Sequence, residues 1–374
     1  MGNPMPVESL KCRSTRNFFV ALSLIFAVPA LAQQKGWEKE WIEILAAAKK
    51  EGKVVVEGTP DPTTRQEIPA KFEARFGIPV EYMAGRGGVV SARIRTERRA
   101  GAYTTDVYFG GLTNLAVMYK EKILDPIKPI LILPDVLDSS KWKKGSLWFS
   151  DPEERYILRL FNFVSQKLHI NTRYVNPAEL NSIKGLLHPK WRGKISGDDP
   201  SLSGSGGFTA ATFYAQHGEE FVRKLYIDQK PFITRERRML TDGLARGTYP
   251  ISLDAPSGEV KRLQDEGFPM KTFNSFPDSP GRLSAGSGLV ALLNKAPHPN
   301  AARLFINWIA SREGLEVYSR ARLIPTTRSD VDESFLPPEI IPLREQKYFD
   351  AYDWNFTTVE SDKIKQRVKE ILRK

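Results

Sequence analysis

Three observations predict an α/β fold in two lobes. Strand-like and helix-like segments alternate along most of the 374 residues. Loops rich in Gly, Ser, Thr and Asp follow several strand-like runs, the position at which open α/β sheets build their sites. Two long alternating stretches, Arg155–Asn171 and Gly267–Asn294, are suited to cross between the halves. A chain of this length, with no internal repeat, accommodates two domains of ordinary size.

Taken in order, the first 32 residues read as an export signal. Lys11, Arg13 and Arg16 precede a largely apolar run, Phe18–Val28, and Ala30–Ala32 forms a small-x-small cleavage site. Eleven residues are too few to span a bilayer, which takes about 20. Cleavage leaves 342 residues and lowers the formal net charge from +11 to +9. It also removes Cys12, the only cysteine, so the mature chain can hold neither a disulfide nor a thiolate metal site. The basic residues are interleaved with acids and form no arginine-rich tail, which argues against a nucleic-acid partner.

Trp37–Gly52 is helical, with Trp41, Leu45 and Ala48 on one stripe and Gly52 as a cap. Lys53–Gly58 is a buried-type strand. Thr59 and Asp61 in the loop after it are binding candidates, with turn formation as the alternative. Thr64 and Glu67 read as a capping box for the next helix. Ile78–Met83 is a second strand. The Gly85–Gly88 loop follows, where glycines allow close backbone approach and Arg86 offers a forked donor for carboxylate or phosphate. Arg86 and Gly87 are therefore candidates. A third strand ends at Gly110–Gly111, and Thr113 and Asn114 at the strand-to-helix corner are further binding candidates, with close packing as the alternative.

In the second half, Trp191–Pro200 runs as a strand into Ser201, Leu202, Ser203, Gly204 and Ser205, and then into an acid-free helix start. Free N–H groups and hydroxyls at such a start suit an anion; simple capping is the alternative. Ser201, Ser203, Gly204 and Ser205 are candidates. Asp254 and Ser257, after a further strand, are also candidates, the acid as an acceptor for an amine or hydroxyl, with a turn role as the alternative. His298–Ala321 and Ser361–Lys374 are amphipathic helices, the latter with Ile364, Val368, Ile371 and Leu372 on one stripe. The four histidines, 169, 188, 217 and 298, form no H-x-x-x-H pair, and no G-x-S-x-G elbow occurs. These absences disfavour an enzyme.

The segments Trp37–Thr59, Thr104–Gly111, His188–Pro200, Leu244–Ser252 and Lys295–Val331 together resemble the extracellular solute-binding proteins of bacterial ABC importers. The similarity is to the iron(III)-, thiamine- and phosphonate-type branch. It implies a type II periplasmic-binding-protein fold, two lobes joined by a hinge, with the ligand held in the cleft and passed to an inner-membrane permease. Ferric members hold metal through adjacent tyrosines in the loop that here reads Asp254, Ala255, Pro256, Ser257, and no adjacent tyrosine pair exists in this chain. Tyr249 and Tyr318 are expected to be packing aromatics.

The expectation is a monomeric periplasmic binding component without catalytic residues, metal or cofactor. Lobe one comprises 33–154 and 284–330, lobe two 155–283, and 331–374 is a C-terminal helical extension. The expected solute is a small organic anion: an acid, a phosphonate or a phosphate ester. The alternatives are a ferric ion or complex and, from another class, a secreted hydrolase.

Overall fold

The computed structural model describes residues 28–165, 168–202 and 204–373. The positive and apolar parts of the predicted export signal lie almost wholly outside the described residues. Helix α1 (Val28–Glu51) begins nine residues before Trp37, so the predicted cut after Ala32 falls within it. The Ala- and Gln-rich sequence Ala30–Gln34 carries good helix formers that extend the helix backwards.

The first lobe is built on β1 (Val54–Gly58), α2 (Pro62–Phe76), β2 (Val80–Ala84), α3 (Gly87–Arg99), β3 (Val107–Gly110), α4 (Leu112–Lys120) and β4 (Leu124–Asp125). The short helix α5 (Pro134–Leu137) precedes β5 (Leu158–Arg159). Strand β6 (Phe163–Ser165) leads away to β7 (Leu168–Asn171), which opens the second lobe. That lobe continues through β8 (Ile195–Gly197), α6 (Ser205–Arg223), β9 (Phe232–Ile233), α7 (Arg237–Arg246), β10 (Ile251–Ser252), α8 (Ser257–Asp265) and β11 (Met270–Phe273). The return runs through β12 (Arg282–Ser284) to β13 (Leu289–Leu293), α9 (Pro299–Ala310) and α10 (Arg312–Arg322). Strand β14 (Phe349–Asp350) and α11 (Ser361–Leu372) close the chain.

Three sheets result among the described residues. The first has the order β2-β1-β3-β13, with β4 and β5 both on the far edge of β13. The second has the order β11-β7-β10-β8-β9, and a three-stranded sheet β14-β12-β6 lies between them along the chain. Register decides how the lobes face. Leu289, at the start of β13, is opposite both Gly110 and Arg159. The chain therefore leaves and re-enters the first sheet at the carboxyl ends of β1, β2 and β3. In the second sheet His169 is opposite Ser252 and Leu168 is opposite Phe273. Entry and exit there lie at the carboxyl ends of β8 and β10. The crossings thus join the two sheets through their loop-bearing ends.

The amphipathic patterns are used as the periodicity requires. Ala302, Phe305, Ile306 and Ile309 are fully buried, and Phe305 packs edge-on against Phe72 at 5.2 Å. Val368 and Ile371 of α11 join the second lobe's core, and Arg367 binds Glu219 at 2.8 and 2.9 Å. The C-terminal segment therefore passes through the hinge, where Asp350 binds fully buried Arg159 at 2.9 Å, before docking on α6. Tyr318 is fully buried, and Tyr249 stacks on Phe232 at 4.5 Å.

One local expectation is corrected. The capping box at Thr64 and Glu67 does not form. The N-cap of α2 is Asp61, whose carboxylate accepts from both Thr64 N and Thr64 Oγ1, at 2.8 and 2.7 Å. A carboxylate one turn earlier, before Pro62 with its preset φ, starts the helix there.

Candidate functional site

On the first lobe, the loops after β1, β2 and β3 form one wall. Thr59 accepts through Oγ1 from Arg322 Nη1 at 2.8 Å, and its carbonyl accepts from Tyr82 Oη at 3.4 Å. This brings α10 to the β1 loop, a placement with no local sequence signal. Arg86 is exposed at the N-cap of α3, whose first turn holds no acid. Among the described residues its guanidinium has no ion pair. Gly87 sits against the next loop: a Cβ there would lie 2.7 Å from Asn114 Nδ2. Tyr108 Oη donates to the Gly87 carbonyl at 3.3 Å. Arg86, Gly87 and Asn114 are thus neighbours, with exposed Thr113 beside them. Burial pushes the Tyr82 and Tyr108 hydroxyls up to about 12, so both are neutral donors at physiological pH.

On the second lobe, the Ser- and Gly-rich stretch folds back on the start of α6. Gly204 is its N-cap at φ 139°, a backbone geometry open to glycine. Ser201 donates through N and Oγ to Asp199 Oδ1 at 2.9 and 2.6 Å, which fixes the turn. Ser203 lies outside the described residues. Asp198 Oδ2 stands 3.4 Å from Gly206 N, so a carboxylate from the preceding loop already faces this helix start. Asp199 in turn receives Arg235 at 3.4 Å.

Asp254 occupies a different place from a cleft acceptor. It is 3 % exposed and accepts from Ser205 Oγ at 3.2 Å, Thr209 Oγ1 at 2.7 Å and Asp198 N at 3.2 Å. It therefore ties three loop and helix positions together from inside. Burial pushes its carboxyl above the ordinary value. Ser257 is half-buried in the first turn of α8, on the same loop.

Sequence reasoning did not select Arg282. It lies on β12, is 5 % exposed, donates to Thr212 Oγ1 at 2.6 Å and stacks 4.9 Å over Phe208. Its Nε has no partner among the described residues, and burial holds its pKa down to about 10. The available signal was a charged residue inside an alternating crossing strand. Arg322 is the other omission.

A Ser–His contact, Ser279 Oγ to His217 Nε2 at 3.1 Å, is closed to substrate because Ser279 is 1 % exposed. Among the described residues no three His, Cys, Asp or Glu side chains converge.

The sequence matches the profile of the bacterial extracellular solute-binding proteins over residues 57–316. The chain belongs to that family. Solute-binding proteins of known structure share its fold. Iron-bound HitA from Pseudomonas aeruginosa is 16 % identical, with a TM-score of 0.64 over 84 % of this chain and 99 % of that one. Trichodesmium IdiA (FutA), in complex with iron and citrate, gives 18 %, 0.65, 86 % and 99 %. AfuA from Actinobacillus pleuropneumoniae, with fructose-6-phosphate bound, gives 19 %, 0.59, 85 % and 97 %. No curated protein matches the sequence. As a member of this family, the solute-binding protein described here is an extracytoplasmic component that works with ABC permeases. Its two-lobed α/β architecture is that of the type II periplasmic binding proteins.

Proposed function

We propose that this solute-binding protein captures a small organic anion, a carboxylate, phosphonate or phosphate ester, and delivers it to an inner-membrane permease. The observation that carries the reading is Arg86: an exposed guanidinium without an ion pair among the described residues, at an acid-free helix start, next to Gly87, which sits against Asn114. A helix N-terminus contributes about 0.3–1 kcal/mol to an anion. Charge-assisted hydrogen bonds contribute about 1.5–3 kcal/mol each. Two or three of these, with lobe closure, reach about −8 kcal/mol, or micromolar affinity.

The opposite wall supplies acceptors as well as donors. Ser201, Gly204 and Ser205 present small polar groups, while Asp198 and Asp199 suit hydroxyl groups on the solute. An anion that also carries hydroxyls satisfies both walls. Fructose-6-phosphate, the molecule bound to the AfuA neighbour, is an anion of this kind. Closure follows from contacts made by one guest with both lobes, which favour the closed state by their differential free energy.

A ferric complex is the second reading, supported by the iron and iron–citrate neighbours. The absent tyrosine pair and the raised Tyr82 and Tyr108 favour a chelate presented through its carboxylates over bare iron. A thermal-shift screen of the mature protein against organic acids, phosphonates, sugar phosphates, polyamines and ferric citrate tests both. Stabilisation by an anion, weakened in Arg86→Ala, is expected. A response confined to polyamines refutes the anion reading, and turnover of an ester or phosphoester refutes transport.

A further inference from the structure

A cluster of cationic side chains, three of them without an ion pair among the described residues, lies at the other end of the first lobe. A cavity of about 590 Å³ is lined by Arg95, Arg98, Arg99, Tyr103, Glu121 and Lys295, among others. It is formed by the carboxyl ends of α3 and α4 and by the residues that follow β13. Arg95, Arg98 and Arg99 follow Arg86 along α3, so at 1.5 Å per residue the cavity lies about 14–20 Å along its axis from Arg86.

Four cations and one acid line it, and a second carboxylate, Asp125, lies near enough to act on Arg98. Glu121 is taken by Arg95, through Nε to Oε2 at 2.7 Å and a second bond from Nη2. Arg98, Arg99 and Lys295 have no ion pair among the described residues. Arg98 is half-buried; its Nη2 donates to the carbonyl of Asn294 at 2.6 Å and to that residue's side-chain oxygen. Tyr103 is held between two cations, with Arg98 4.9 Å and Lys295 4.8 Å from its ring centre. Lys295 Nζ donates to Tyr103 Oη at 3.0 Å, and Lys295 keeps a left-handed backbone at φ 51°, uncommon outside glycine.

Bringing three unpaired cations together costs Coulomb energy. The carboxyl ends of α3 and α4 offset part of it through their partial negative charge. A concave surface with this excess charge and a forked guanidinium is built for a multiply charged oxyanion. We propose that this cavity is a second anion site, independent of the interlobe solute, which takes a phosphate-type group carrying two or more charges.

The test uses the full mature protein with inorganic pyrophosphate as the soluble probe, followed by isothermal titration calorimetry at low salt. Wild type should bind it, and Arg98→Gln/Lys295→Gln should weaken binding at least about tenfold, whereas Arg86→Ala should leave this site's affinity unchanged. Arg99→Gln, at an exposed position, is the independent variant should the double variant fold poorly. Co-sedimentation with phosphatidylglycerol vesicles but not phosphatidylcholine vesicles, lost in the same variants, would place the oxyanion on a lipid headgroup; its absence alongside pyrophosphate binding would place it in solution. Binding of neither probe at millimolar concentration, or binding abolished by Arg86→Ala and untouched by the other variants, overturns the proposal.

Discussion

Replacing Asp254 separates a residue that organises the second lobe's wall from one that is merely close to it. Its carboxylate holds Ser205, Thr209 and the Asp198 amide at 3.2, 2.7 and 3.2 Å. Three hydrogen bonds to a charged acceptor have a nominal sum of roughly 4.5–9 kcal/mol. Removing the carboxylate from water offsets part of that sum, since burial raises its pKa. The expected net loss for Asp254→Ala is about 3 kcal/mol, or about 6–12 °C in the Tm of a lobe of this size. Asp254→Asn keeps an oxygen for Thr209 and carries no charge to bury, so its loss should be about 1 kcal/mol.

The pH dependence follows from the same shift. The folded pKa lies above the unfolded 3.8, so the folded state takes up the proton more readily. The resulting stabilisation is fully present below the unfolded pKa and is lost as pH rises through the folded one. Wild type should therefore gain stability relative to Asp254→Asn on acidification. Differential scanning calorimetry of wild type and both variants from pH 7 to pH 4 measures each part. An Ala variant melting within about 1 °C of wild type, or a wild type that loses ground to Asn in acid, refutes the reasoning.

Arg86→Ala should weaken any anion found by the screen about tenfold or more while moving Tm by no more than about 1 °C, because the side chain is exposed and unpaired; calorimetric titration and melting read the two effects separately. Gly207→Ala should destabilise the second lobe by more than about 2 kcal/mol, since the new methyl would overlap the Leu202 carbonyl oxygen, and urea unfolding measures this. Asp350→Ala should cost about 1–3 kcal/mol by urea unfolding, less than for a fully buried pair, because Asp350 is partly exposed while Arg159 is wholly buried. His217 has a pKa lowered by burial below 6.5. Its contribution should fall as pH drops from 6.5 through the folded value, and His217→Gln should flatten that limb of the pH–stability curve.

Much of the fold was legible in the sequence because it rests on local periodicity. The all-buried run Val54–Gly58, the Ala302–Ile309 face and the Val368–Ile371 stripe each announce their element by the spacing of apolar residues. The small-residue loops were legible for the same reason, since Gly, Ser and Asp mark turns by their own backbone preferences. The cap of α2 was read one turn late because Asp61 and Thr64 are both competent N-cap residues, and only the backbone path chooses between them.

By itself, then, the amino-acid sequence determined which segments are strands and helices, which faces are apolar, and where the chain turns. Tertiary structure alone decided that the crossings join the loop-bearing ends of the two sheets and that Asp254 points inward to hold a helix start. It also decided that Arg282 lies buried in the hinge, that Arg322 meets Thr59, and that Arg98 and Lys295 close on Tyr103. Arg322 and Thr59 lie 263 residues apart in sequence, and Lys295 and Tyr103 lie 192 apart. Their meeting is set by strand register and by the packing of whole elements, neither of which is encoded in a local window.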